Sequence, residues 1–119
     1  VKGPDGNTEF FYIPGCASMP DWLKDRIDNS NLILFDGTLW TDDEMIKENV
    51  GIKTGQRMGH MSMSGPEGSI EAFKNLNIKR KIFIHINTTN PALLEDSSER
   101  KEANESGWEI AYDTMEIKI

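Results

Sequence analysis

Two short, uninterrupted apolar runs, Leu32-Ile33-Leu34-Phe35 and Ile82-Phe83-Ile84, restrict the fold most. A strand that alternates apolar and polar residues has one wet face, whereas an unbroken run of this length belongs to a strand covered on both faces. A third strand is predicted over 8–13, "TEFFYI", between the turn sequences "GPDGN" and "PG". Helical signals lie between the strands. "SMPDWLKDRIDN" offers Ser18 as N-cap and Pro20 in the first turn, with Trp22, Leu23 and Ile27 spaced to share a face. "TDDEMIKENVG" carries a capping box, Thr41 with Glu44, and a stop at Gly51, and Ser64 with Glu67 repeats the pattern before "GSIEAFKNL". Asp96 and Glu99 open a polar helix that Gly107 ends, and "WEIAYDTMEIKI" reads as two strands around Asp113-Thr114. Strands alternating with helices predict a layered α/β architecture, and hairpin signals at both ends predict that its sheet is mixed.

The chain has 119 residues, enough for one domain or part of one. It begins at Val1 and breaks almost at once into a turn, so it reads as starting inside a hairpin of a longer protein. Thirteen basic residues against twenty acidic ones give a net charge of -7, with no basic stripe for phosphates, which argues against nucleic acid as a partner. No apolar run approaches the roughly 20 residues that span a bilayer, and no segment resembles a signal peptide, so a cytoplasmic protein without membrane contact is expected. The single cysteine, Cys16, has no neighbouring His or Lys to activate it and reads as a packed side chain.

Polar residues close both apolar runs. Leu32–Phe35 ends in Asp36, and Ile82–Ile84 ends in His85. Ligands of α/β sheets gather beyond the carboxyl ends of strands, where loops hold polar groups over a rigid apolar floor. The other histidine, His60, lies in "IKTGQRMGHMSMSGP", a loop too long and irregular for a plain connection. One carboxylate and two imidazoles would suit a divalent zinc or iron ion with positions left open. Spacing alone leaves other readings open: Asp36 as a turn former before Gly37-Thr38, His85 as a sheet-edge side chain, His60 as an exposed loop residue. Asp42, Asp43 and Glu44 read as first-turn helix acids, and Met58, Met61 and Met63 as packing, not as metal ligands.

The blocks "FDGTLWTDDEMI", "TGQRMGHMSMSGPEGSIEAF" and "RKIFIHINTTNPALLEDSSER", ending in "GWEIAYDTMEI", closely resemble the C-terminal part of the coenzyme PQQ synthesis B family, a branch of the metallo-β-lactamase-fold superfamily acting in pyrroloquinoline quinone (PQQ) biosynthesis. The resemblance covers nearly the whole chain. It implies the C-terminal half of an αββα sandwich built from two mixed sheets, with residues 1–119 forming one part of a single domain. It also implies Asp36 and His85 as metal ligands, and His60 as a catalytic residue beside the substrate with a weaker claim on the metal. The superfamily's main ligand motif, His-x-His-x-Asp-His, is absent from the chain and belongs to the N-terminal half. This half-domain is therefore expected to leave its inner sheet face poorly covered.

The function implied is oxygenation, by a divalent metal (Fe or Zn), of the tyrosine ring of a Glu-Tyr-derived peptide or PQQ precursor. The alternatives are a soluble carrier of PQQ or its precursor toward the periplasm, and a metal-dependent hydrolase. A nuclease is disfavoured by the acidic balance, and homo-oligomerisation stays open.

Overall fold

The computed structural model describes residues 1–119. Four strands form one sheet: β1 (Phe10–Ile13), β2 (Leu32–Asp36), β3 (Arg80–Ile84) and β4 (Trp108–Ile110), side by side in chain order. All three pairings are parallel, with Phe11 opposite Ile33, Phe35 opposite Phe83, and Phe83 opposite Ile110. The sheet is therefore parallel throughout, in place of the mixed sheet expected. At the N-terminus the turn chemistry works as expected, but its hairpin amounts to one antiparallel bridge, Lys2 with Glu9. At the C-terminus only Trp108–Ile110 pairs, because residues 111–119 turn away after Ala111 donates to the Phe83 carbonyl.

Between the strands lie α1 (Asp21–Ile27), α2 (Glu44–Lys47), α3 (Ser69–Ala72) and α4 (Ser98–Glu105). Parallel neighbours need crossover connections, and these are right-handed almost without exception. When every crossover steps the same way along the sheet, all of them fall on one face. The core records this result: Ile27 of α1, Phe73 after α3 and Ala103 of α4 pack with Ile33, Phe35, Phe83, Trp108 and Ile110, the residues pointing to one side of the strands. Phe83 stacks on Trp108 at 3.8 Å between ring centroids, and Phe73 meets both Phe35 and Trp108 edge-on. The opposite face is more open. Leu32 and Ile82 are buried there, but Tyr12 is exposed and Leu34 half-buried, which agrees with a sheet whose second face lacks a full covering layer.

Several helix ends differ from the sequence expectation. Pro20, not Ser18, precedes α1, and Trp22 stands 70% exposed while Ile27 carries the buried face. Of the capping box at α2 only the glutamate half forms: Glu44 Oε1 accepts from the Trp40 and Thr41 amides, and its Oε2 accepts from Thr89 Oγ1. That buried carboxylate is taken up by backbone and hydroxyl donors, as expected of a structural acid and not of a metal ligand. Helix α2 stops at Lys47, before Gly51, and Gly68 rather than Ser64 precedes α3, because the Ser64 hydroxyl donates to the Trp40 carbonyl instead. The polar helix α4 begins at Ser97, whose hydroxyl accepts from the Arg100 amide, and it ends before Gly107 at φ +85°. No helix is long and apolar enough to cross a membrane.

Candidate metal centre

Asp36 is the last residue of β2 and is fully buried. The backbone turns away directly after it because Gly37 presses against β3. A Cβ at Gly37 would stand 2.6 Å from Ile86 Cδ1, 2.8 Å from Phe83 Cβ and 3.2 Å from the Ile84 carbonyl oxygen. The Gly37 amide donates to that same carbonyl, extending the β2–β3 ladder one step past Asp36. Gly37→Ala is therefore expected to lower unfolding stability by about 1–3 kcal/mol, since Phe83 Cβ belongs to a core strand and cannot move aside. Urea unfolding checks this, and an unchanged midpoint would refute the close-packing account.

His85 follows β3 immediately and adopts a left-handed backbone conformation, φ +58°. A non-glycine residue pays about 1–3 kcal/mol for such a conformation, and it persists where the surroundings enforce it. Here the left-handed turn accompanies a ring brought back to the end of β2. His60 arrives by another route. A 3-10 turn, Gln56–Met58, ends at Gly59 with φ +86°, and the His60 amide then donates to the Gly55 carbonyl. Beyond it the loop is pinned by backbone bonds, Met61 N to Cys16 O, Met63 N to Leu39 O and Ser64 N to Trp40 O. The loop's length is explained by this tethering, which carries His60 over the ends of β1 and β2. Met61 and Met63 are buried and act as packing, while Met58 stays partly exposed.

The three residues singled out in the sequence thus converge. Each of Asp36, His60 and His85 offers one ligand atom such that all lie within 4.8 Å of one another, and no other group of three His, Cys, Asp or Glu residues does so. His60 Nδ1 is 2.8 Å from Asp36 Oδ2, and the two imidazole rings stack at 5.4 Å with 20° between their planes. Asp36 also accepts from the Cys16 amide at 2.9 Å and the Thr38 amide at 3.1 Å. Asp42, Asp43 and Glu44 form no such group: Asp42 accepts from the Gln56 amide and Asp43 pairs with Lys47.

The sequence reading missed Thr38. Its hydroxyl lies 2.6 Å from Asp36 Oδ1, 2.8 Å from His85 Nδ1 and 3.1 Å from His60 Nδ1, touching all three. The available signal was the Asp-Gly-Thr spacing, in which a hydroxyl two residues on can reach back to the carboxylate. Cys16 is packed as expected. Burial pushes its thiol up, the bond from Sγ to the Ser18 carbonyl works the other way, and the Asp36 charge adds to the rise.

One carboxylate and two imidazoles, held close on a rigid strand-end platform, make a donor set that fits a borderline first-row ion such as zinc or ferrous iron. Three donors also leave coordination positions for further ligands, water or substrate.

A parallel sheet with helices on one face thus carries an Asp/His/His cluster at its strand ends, the place where α/β sheets hold ligands. The family described as "Beta-lactamase superfamily domain" matches residues 1–86, and the chain belongs to it. Among its relatives are proteins named coenzyme PQQ synthesis protein B. Those from Xanthomonas euvesicatoria and Gluconacetobacter diazotrophicus are 56% and 55% identical over 97% and 95% of this chain. The structure is similar to that of Zn(2+)-bound PqqB from Methylobacterium extorquens, with a TM-score of 0.89 at 48% identity over 91% of this chain. The chain spans 38% and 37% of the two relatives' lengths and 39% of the M. extorquens chain.

Proposed function

We propose that the protein acts in PQQ biosynthesis, as a metal-dependent oxygenase that hydroxylates the tyrosine ring of a Glu-Tyr-derived peptide precursor. The observation that carries this reading is the convergence of Asp36, His60 and His85 at the strand ends of a chain so similar to PQQ-synthesis proteins. Asp36 and His85 would hold the ion, with the remaining ligands coming from outside this chain. When bound, a ferrous ion would supply activation of dioxygen. Asp36, buried and hydrogen-bonded, fixes the position of negative charge. His60 keeps Nδ1 on that carboxylate and has its second ring nitrogen available, which suits it to orient the substrate or to pass a proton.

The test reconstitutes the full-length protein with Fe(II) and supplies a tyrosine-containing peptide, oxygen and a reductant. An oxygen-dependent hydroxylated product is expected, and its absence with and without the reductant would overturn the reading. A second reading, hydrolysis by a metal-activated water, is favoured by the zinc in the M. extorquens relative. A hydrolytic product formed without oxygen by zinc-loaded protein would select it.

A further inference from the structure

We infer that Thr38 is the positioning residue of this centre, its hydroxyl deciding which atoms of Asp36 and His85 are presented to an ion. The inference rests on the metal reading above and deepens it.

An ionised carboxylate only accepts hydrogen bonds. The 2.6 Å contact between Thr38 Oγ1 and Asp36 Oδ1 is therefore the hydroxyl donating. A hydroxyl has one proton, so toward both histidines the same oxygen can only accept. His85 Nδ1, at 2.8 Å, must then carry the hydrogen, which leaves the lone pair on Nε2. His85 makes no other side-chain hydrogen bond, and it sits exposed on a left-handed backbone, so Thr38 is what fixes its ring and tautomer. His60 Nδ1, 3.1 Å from the hydroxyl and 2.8 Å from Asp36 Oδ2, is a donor by the same logic.

The carboxylate is sorted in the same way. Oδ1 receives both the hydroxyl and the amide of Thr38, so its lone pairs are occupied by a single residue two positions along the chain. Oδ2 accepts from the Cys16 amide and is the oxygen that faces His60 Nδ1, within the same cluster of ligand atoms. Asp36 therefore meets an ion through Oδ2 alone, and His85 meets it through Nε2. Groups that orient ligands in this way typically change metal affinity 10- to 100-fold when removed.

Thr38→Val keeps the side-chain shape and removes the hydroxyl, and Thr38→Ser keeps the hydroxyl. Both are made in the full-length protein, beside Asp36→Ala, and titrated with Co(II), while ¹⁵N shifts of the His85 ring are read in metal-free protein. The expected result is a 10- to 100-fold weaker Co(II) affinity for Thr38→Val, with His85 leaving the Nδ1–H tautomer. Thr38→Ser should stay within about threefold of the parent because the donor and acceptor survive. Thr38→Val at parental affinity, or Thr38→Ser falling as far as Thr38→Val, would overturn the inference. If Asp36→Ala itself binds Co(II) as the parent does, the metal reading fails instead, and the His85 tautomer shift still decides the role of Thr38.

Discussion

Asp36→Ala in the full-length protein should weaken binding of a divalent ion by more than about 100-fold, beyond the range typical of residues that only orient ligands. The substitution removes the only carboxylate of the cluster and leaves three donors without an acceptor, the Cys16 and Thr38 amides and the Thr38 hydroxyl, while His60 Nδ1 keeps only the Thr38 oxygen at 3.1 Å. Orphaned buried donors cost about 1–3 kcal/mol each where no water reaches them, so the metal-free variant should also unfold earlier. Asp36→Asn separates the two effects. It keeps the volume and one acceptor oxygen, so stability should recover in part while affinity does not. His60→Ala provides the contrast, since a residue placed beside the substrate should cost far less metal affinity than Asp36. Titration with Zn(II) or Co(II) measures all three. Equal losses for His60→Ala and Asp36→Ala would make His60 a ligand on the same footing.

The residues of this centre were legible in the sequence for a physical reason. A carboxylate or an imidazole directly after an apolar strand stands where the sheet ends and the loops begin, and both Asp36 and His85 have that position. His60 was legible only as an oddity, because what brings it in is non-local: backbone bonds from Met61 to Cys16 and from Met63 to Leu39, which no periodicity encodes. Thr38 was hidden by its ordinariness. A threonine after Asp-Gly serves many turns, and its triple contact exists only once β2 and β3 lie side by side.

The direction of the sheet was misread for a related reason. "GPDGN" does reverse the chain, and Val1 and Gly3 bond antiparallel to Phe10 and Thr8 around the Lys2–Glu9 bridge, but the four-stranded ladder itself is parallel. The run "TMEIKI" has strand composition but no partner in this chain. Composition states what a segment tolerates, whereas pairing depends on which edge is free. The capping signals failed more mildly. The Ser64 hydroxyl goes to the Trp40 carbonyl, and proline and glycine take the flanking positions of α1 and α3.

Trp108→Ala should be the most destabilising single change outside the centre, at about 3–5 kcal/mol, the usual cost of emptying a large aromatic site in a core. Trp108 is 2% exposed, stacks flat on Phe83 and meets Phe73 edge-on, so the void would open between β3, β4 and the segment after α3. Trp108→Phe should cost clearly less. It keeps the stacking partner for Phe83 and removes an indole Nε1–H that is buried without an acceptor in the chain. Urea unfolding ranks the two variants, and equal losses would mean that the indole ring system, not aromatic stacking alone, is what the core requires. The effect should also reach the metal centre. Phe83 lies in β3 two residues before His85, so loosening its packing frees the end of β3 and releases part of the strain held in the left-handed turn at His85. Metal affinity of Trp108→Ala should therefore fall under conditions where the variant is still folded, though less than for Asp36→Ala, because every ligand atom remains. Parental affinity in folded Trp108→Ala would show that Thr38 and the β2–β3 ladder hold His85 without help from the core beneath it.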